Sequence, residues 1–288
     1  QGPAPKPLRP KRRGGRVAFW VLLALLLASL AALGYIAFTY WQGQQDYEQV
    51  VEVAKVEVEG DDLAAFQVDW EALRAINPDV VGWIYVPGTN INYPVVWREG
   101  NDAYYLWHNF NGAASPQFGA EYGCPVLSGS NDPAFTDDVN IVSAHNLFNG
   151  EMFTAFSTFG DPAVFNAHRI IFLLTPEGNY RLRTFAVDYV SGSSRVPVTF
   201  ASAQEKHEYY QQCMDDSLVQ PDPPPPAANS IQRAFAFYTC DNNNSAWRFF
   251  IFSYPEEYVP LGVAGMEKDI VGDEDANAVN AASGERAQ

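Results

Sequence analysis

Cysteine and histidine are both scarce in this sequence, which has three cysteines and four histidines among its 288 residues. No pair of cysteines has CxxC or metal-ligand spacing, so the cysteines give no sign of a zinc site or of a paired redox motif. The sequence also contains no internal repeat and no phosphate-binding glycine loop. We therefore predict neither a metal nor a cofactor.

Basic residues are few as well, with 18 lysines and arginines against 34 aspartates and glutamates, for a formal net charge of -16. Many of the basic residues crowd into the first sixteen positions, so the rest of the chain is more acidic still. An acidic surface repels the phosphate backbone, and we exclude nucleic acid as a partner.

One long stretch carries no charge at all: VAFWVLLALLLASLAALGYIAF, residues 17–38. As a helix it is long enough to span about 30 Å of hydrocarbon. The basic cluster precedes it, and the positive-inside tendency places residues 1–16 in the cytoplasm and the remainder outside the cell membrane. We predict a single transmembrane anchor over residues 17–41. The alternative is a cleaved signal peptide, but its apolar region would be shorter, about 7–15 residues.

The organisation changes along the chain after this anchor. Residues 42–78 have apolar positions at helical spacing and predict two short helices, forming a stalk or packing on the following domain. Residues 79–255 are rich in short β-type runs separated by turn residues, which indicate a barrel or sandwich. Residues 256–288 are acidic and poor in aromatics, and predict a disordered tail.

Two segments interrupt the β-type runs. Residues 201–217 read as a helix, and the proline-rich residues 221–229 read as a stiff, extended connector. Both come just before the strand that ends in Cys240. With 47% hydrophobic residues, the chain has enough apolar surface for one good-sized core.

Cys240 lies at the end of the predicted strand AFAFYTC, and Arg248 lies at the start of the next, WRFFIFS. The intervening DNNNSA favours a turn, so the two side chains would flank one site at the mouth of a hairpin. Positive charge lowers the pKa of a thiol, and an arginine can stabilise an oxyanion. The alternatives are a buried structural thiol and a surface arginine stacked on aromatic rings.

The odd number of cysteines leaves at least one thiol unpaired in an exported domain. A disulfide between Cys124 and Cys213 is one possibility from the sequence.

A cysteine nucleophile needs a base, and four histidines are available. His145 directly follows the apolar run 140–144 and faces a loop, where catalytic groups concentrate. It is the first candidate, and His108 in the aromatic-rich YYLWHNFNG is the second. His168 opens a predicted strand and His207 lies within the predicted helix. For each histidine a purely structural role is the alternative.

Five ordered segments resemble the sortase family, and class B most of all. They are VVGWIYVPGTNINYPVV, YYLWHNFNG, NIVSAHNLFNGEMF, LLTPEGNYRLRTF and FYTCD, the last followed by Arg248. The resemblance runs over about residues 79–254 and includes the helix before the cysteine strand that class B members carry.

This resemblance implies a mainly β fold, a closed sortase-type barrel of about eight strands with N-terminal helices and a helix inserted before the cysteine strand. By motif matching, Cys240 falls on the family's nucleophile, His145 on its catalytic histidine and Arg248 on its catalytic arginine. The further candidates for contact with substrate are Thr239, Tyr238, Asn146 and His108.

The implied activity is that of a membrane-anchored cysteine transpeptidase on the surface of a Gram-positive bacterium. Cys240 would cleave an LPxTG-like or NPxTN-like C-terminal sorting signal of a partner protein. An amine of a peptidoglycan precursor or of a pilin would then take up the acyl group. The alternatives are a surface cysteine peptidase that hydrolyses peptides and a non-enzymatic surface scaffold.

The sequence departs from the family's usual residues at two places. Ser143-Ala144 precede the histidine where Tyr-Gly is common, and Phe237-Tyr238 stand where smaller residues are usual. We expect Phe237 and Tyr238 to influence substrate preference.

Overall fold

The structure is a computed structural model that describes residues 2, 14–58, 62–115 and 121–261. Eight strands close into a barrel in the order β1-β2-β3-β4-β7-β8-β6-β5, which confirms the predicted mainly β fold. The strands are β1 Val80–Tyr85, β2 Asn92–Trp97, β3 Val126–Leu127, β4 Val139–Ser143, β5 Ile170–Leu174, β6 Gly178–Ser191, β7 Ala234–Cys240 and β8 Trp247–Pro260.

Five α-helices and three short 3₁₀ helices accompany the barrel within the described residues. The α-helices are α1 Gly14–Ala54, α2 Trp70–Ile76, α3 Ala103–Leu106, α4 Pro162–Ala167 and α5 Ala203–Asp216, and the 3₁₀ helices are Leu63–Ala65, Thr154–Thr158 and Ala228–Ser230. The helix α5 matches the helix predicted before the cysteine strand. Its N-cap is Ser202, whose side chain accepts a hydrogen bond from the Glu205 amide.

Most neighbouring strands are antiparallel, but the pairs β2–β3 and β4–β7 are parallel. Strands β4 and β7 are in register from Val139 opposite Ala234 to Ser143 opposite Tyr238. Two parallel strands finish at the same end of a sheet. The pairing therefore brings the loop after β4 and the end of β7 together at one rim of the barrel.

The side chains of β7 alternate between two cores, as the period of two in a strand requires. Phe235 and Phe237 point into the main core inside the barrel, which includes Trp83. Ala234 and Ala236 instead belong to a second apolar cluster beneath α5, and Tyr238 packs against its edge. Phe237 is fully buried, whereas Tyr238 keeps some exposure, so Tyr238 is the one residue of that pair with surface available for a direct contact.

The helix α1 is longer than the sequence predicted. It continues from the apolar stretch without a break to Ala54, so the first of the two short helices predicted in residues 42–78 is the second half of α1. The apolar half is long enough to cross a membrane and is exposed, which is consistent with a single span. The second half buries Tyr47, Val50 and Ala54 against the barrel.

The C-terminal boundary also differs from the prediction. Strand β8 continues past Pro255 and pairs with β6 as far as Pro260 opposite Gly178. Glu256 anchors this extension, because both of its oxygens accept hydrogen bonds from the Arg183 guanidinium, at 2.7 and 3.0 Å. Residues 262–288 of the predicted tail, and the basic residues before position 14, lie outside the described part of the chain.

The possible disulfide between Cys124 and Cys213 is not formed. Both thiols are free and buried, with 2% and 3% of their surface exposed, and they lie in different apolar clusters.

Asp188 on β6 is an ionisable group placed against the α5 cluster. Its Oδ1 is buried without a hydrogen-bond partner among the described residues. Burial, and next the nearby Asp216 carboxylate, raise the pKa of Asp188 from 3.8 to about 7. The folded state therefore holds this proton more tightly than the unfolded chain does. Stability from this group is present below pH 4 and is lost as the pH rises to about 7.

We predict that Asp188→Asn raises the free energy of unfolding above pH 7 by about 2 kcal/mol, about half of what the full pKa shift would give because the carboxylate is partly exposed, and changes it little at pH 4, because the amide stays neutral at every pH. Urea unfolding of the protein in detergent micelles at pH 4, 5.5 and 7.5 measures this difference. Asp215→Asn, at an exposed position on α5, is the matched control. An equal difference at all three pH values would contradict the prediction.

Candidate active site

The hairpin of β7 and β8 places a cysteine and an arginine side by side at the rim of the barrel. Cys240 is the last residue of β7, and its register partner on β8 is Arg248. Residues directly opposite in an antiparallel pair have their Cβ atoms about 5 Å apart on the same face. The hairpin and the pairing that the sequence predicted are therefore both present.

The turn that joins the two strands is held by its own side chains. Asp241 Oδ1 accepts from the Asn243 amide at 2.8 Å, and Asp241 Oδ2 accepts from the Tyr189 hydroxyl at 2.6 Å. These bonds, the tyrosine first, lower the pKa of Asp241. Trp247 stacks on Tyr189, with ring centroids 4.9 Å apart. The position of Cys240 against Arg248 is thus fixed from both sides of the turn.

The guanidinium of Arg248 is oriented by backbone carbonyls. Nη1 donates to the oxygens of Ser245, at 2.7 Å, and Trp247, at 2.9 Å. A Cβ on Gly192 would lie 3.2 Å from Arg248 Cζ, so the glycine lets the guanidinium lie close to the chain after β6. Sequence reasoning did not single out Gly192.

Two hydrogen bonds tie the segment of His145 to the end of β7. The buried Thr239 hydroxyl donates to the Ala144 carbonyl at 2.9 Å, and Asn146 Nδ2 donates to the Cys240 carbonyl at 2.8 Å. His145 thus lies between two residues that are each bonded to the cysteine strand. Thr239 has no exposed surface and Asn146 bonds the backbone of Cys240, so both residues position the site.

The imidazole of His145 has a defined proton arrangement. Its Nε2 lies 2.8 Å from the carbonyl oxygen of Leu106. Because a carbonyl oxygen only accepts, Nε2 carries the proton in this contact. In the neutral ring Nδ1 is therefore the basic nitrogen. The exposed Trp107 lies beside the ring, with centroids 6.4 Å apart.

A groove of about 240 Å³ opens next to Arg248 on the outer face of the barrel. Tyr238 lines it and stacks on Phe250 with ring centroids 4.8 Å apart. Asp102 lines it opposite, where its carboxylate accepts hydrogen bonds from the Ser128 hydroxyl and the Gly129 amide. Sequence reasoning missed Asp102 and Ser128, because only the folding of the barrel brings them to this groove.

The remaining histidines are placed elsewhere. The ring of His108 stacks on Tyr104 at 4.0 Å, and its Nδ1 lies 2.7 Å from the Tyr104 carbonyl oxygen. Among the described residues, no hydrogen bond or ring stacking links His108 to Cys240 or Arg248. His168 bonds the carbonyl of Pro87, and His207 lies on α5.

The three thiols differ sharply in their surroundings. Burial raises the pKa of the Cys124 thiol and of the Cys213 thiol well above the ordinary value, which leaves both in the unreactive form. Cys240 is the partly exposed one of the three.

Known proteins resemble this chain in sequence and in fold, although a scan against protein-family models finds no match. A sortase B from Listeria monocytogenes is 27% identical over 203 residues, covering 66% of this chain and 80% of that protein. A sortase B crystal structure from Clostridium perfringens superposes with a TM-score of 0.58 at 26% identity, covering 66% of this chain and all of that one. One from B. anthracis gives a TM-score of 0.64 at 24% identity, covering 76% of this chain and 99% of that one.

These likenesses confirm the resemblance: in sequence and in fold the chain is similar to class B sortases.

Proposed function

We propose that this protein is a cysteine transpeptidase in which Cys240 is the nucleophile, His145 the acid and base, and Arg248 the electrostatic partner. The register pair of Cys240 and Arg248 carries the proposal, since it places the partly exposed thiol beside a fixed cation. The bond from Asn146 to the Cys240 carbonyl supports it, because it holds the histidine segment at the same rim.

The first half of the reaction forms a thioester. The Cys240 thiol gives its proton to Nδ1 of His145, and the thiolate attacks a backbone carbonyl carbon of the sorting signal. The carbonyl π electrons move to its oxygen. When the tetrahedral intermediate collapses, the C–N bond breaks and the leaving amine takes the proton from His145.

The second half transfers the acyl group. An incoming amine attacks the thioester carbon and gives a proton to His145, the C–S bond breaks, and the Cys240 thiolate is regenerated. Because the thioester retains the activation of the acyl group, transfer to an amine competes with hydrolysis where water is partly excluded.

Arg248 suits the stabilisation of the oxyanion in both halves. A guanidinium has five N–H groups, and the carbonyls of Ser245 and Trp247 occupy only those of Nη1. The remaining N–H groups stay available for the substrate oxygen. A donor that is already oriented needs no reorganisation when the negative charge develops.

The groove beside Arg248 is the proposed binding site for the sorting signal. Tyr238 and Asp102 form parts of its walls, and a peptide lying there would pass Arg248 on its way to Cys240. Tyr238 is therefore the residue of the bulky pair that we expect to influence substrate choice. Thr239 and Asn146 act through their hydrogen bonds to the backbone of Ala144 and Cys240 and not by touching substrate. We assign no contact with substrate to His108.

The setting is also part of the proposal. The apolar half of α1 would anchor the protein in the cell membrane of a Gram-positive bacterium, with the barrel outside. The donors would be proteins with a C-terminal sorting signal, and the acceptors amines of a peptidoglycan precursor or of a pilin. The length and exposure of the apolar helix support the anchor.

We predict that Cys240→Ala abolishes cleavage of sorting peptides, because no other accessible thiol replaces the nucleophile. His145→Gln should lower kcat by at least about 10³-fold, and Arg248→Lys by about 10²-fold. A panel of LPxTG-like and NPxTN-like peptides with glycylglycine as the amine, followed by mass spectrometry, measures both cleavage and transfer. Cys213→Ala is the matched thiol control and should keep full activity.

Two results would contradict this assignment. Retention of wild-type activity by Cys240→Ala would show that Cys240 is not the nucleophile. Hydrolysis alone in abundant amine would make the protein a cysteine peptidase.

We also predict selective alkylation. Iodoacetamide should modify Cys240 in the folded protein, while Cys124 and Cys213 react only after unfolding, because both are buried and their thiol pKa values are raised. Peptide mapping locates the label. Rapid labelling of either buried thiol, or none at Cys240, would show that the environments described above are wrong.

A further inference from the structure

The second half of α1 contacts the chain segments that surround His145. The Tyr47 hydroxyl donates a hydrogen bond to the carbonyl oxygen of Gly123, and Tyr47 is only 5% exposed. Asn109 Nδ2 reaches Asp46 Oδ2 at 3.4 Å, from the segment that follows α3. The helix that begins in the apolar stretch therefore bonds two segments of the domain.

Gly123 lies directly against the histidine. It has a φ of +59°, and a Cβ there would lie 3.1 Å from His145 Cδ2 and 3.0 Å from the Leu106 carbonyl oxygen. That carbonyl is the oxygen that accepts from His145 Nε2. The Cys124 amide joins the same segment by donating to the Tyr105 carbonyl at 2.8 Å. The bond from Tyr47 thus ends on the backbone that supports the imidazole ring.

A second connection reaches the loop that follows His145. The Tyr122 hydroxyl donates to the Tyr40 carbonyl on α1 at 3.0 Å, and Asn149 Nδ2 donates to the Tyr122 oxygen at 2.7 Å. Gly43 permits this contact, because a Cβ there would lie 2.4 Å from the Tyr122 ring. The Phe153 amide closes the loop by donating to the His145 carbonyl at 2.9 Å.

We propose that Tyr47 and Gly43 of α1 are positioning residues of the active site, which set the orientation of the His145 imidazole through Gly123, Tyr122 and Asn149. In this proposal the second half of α1 holds the segments that contact His145 in place, in addition to any role of the apolar half as an anchor. The inference rests on the proposed function, in which His145 moves the protons. A proton carrier must stay within hydrogen-bond reach of its donor and acceptor, and a misplacement of about 1 Å can cost about 10²-fold in rate.

The test compares three variants of the full chain in lipid nanodiscs. Tyr47→Phe keeps the buried ring and removes only the hydroxyl, and Gly43→Ala pushes against the Tyr122 ring. Val50→Ala is the matched control, because Val50 is also a buried α1 residue of the core and has none of these bonds. One readout is kcat and KM with the best peptide of the panel. The other is the imidazole NMR signal of His145 in ¹⁵N-histidine-labelled protein, assigned with His145→Gln.

We expect Tyr47→Phe and Gly43→Ala to lower kcat about tenfold, to leave KM within about twofold, and to shift or broaden the His145 imidazole signal. Val50→Ala should change neither. Unchanged kcat and unchanged imidazole signals in both test variants would overturn the inference, as would the same changes in Val50→Ala. If the wild-type protein processes no peptide, the proposed function fails, and the imidazole signals alone decide whether α1 positions the ring.

Discussion

The parallel pairing of β4 with β7 is the constraint on which the site depends. Cys240 and the histidine segment are far apart in sequence, with 94 positions between the partners of the Asn146–Cys240 bond. Parallel strands end at the same rim, so the residue that ends β7 and the loop that follows β4 necessarily meet there. The hydrogen bond from the Thr239 hydroxyl to the Ala144 carbonyl extends the contact between the two strands by one residue beyond β4. The β7–β8 hairpin then adds Arg248 by a purely local turn, so all three residues lie at the same rim of the barrel.

Strand alternation decides which of the neighbouring residues can take part in chemistry. Phe237 and Thr239 point inward and are fully buried, whereas Tyr238 and Cys240 keep some exposure. Burial likewise separates the partly exposed thiol of Cys240 from the buried thiols of Cys124 and Cys213, where desolvation favours the neutral form. Buried side chains still matter for the site, because the inward-facing Thr239 bonds the segment of His145 to the strand that ends in Cys240.

The sequence was most informative where structure is local. The asparagine-rich turn predicted the Cys240–Arg248 pair, and the β-type runs and the helical spacing before the cysteine strand predicted the barrel strands and α5. It was least informative where distant segments meet. Residue types alone left four histidines open; the position after an apolar run put His145 first, and the family resemblance then selected it. Nothing in a linear pattern shows that Asp102 and Ser128 line the groove or that Tyr47 bonds Gly123. The continuity of α1 was missed because charged residues after the apolar stretch suggested a new element, although Glu48 and Glu52 lie on the exposed side of one helix.

The central claim is that an acyl group passes through a thioester on Cys240. The most direct measurement is the intact mass of the protein after it is mixed with an intact sorting peptide that it cleaves, in the absence of amine. Peptide mapping then locates the added mass. The account predicts a mass increase equal to the acyl fragment, located on Cys240 and removed when glycylglycine is added. Cleavage of the peptide with no adduct trapped at early times, or with an adduct on another residue, would contradict it.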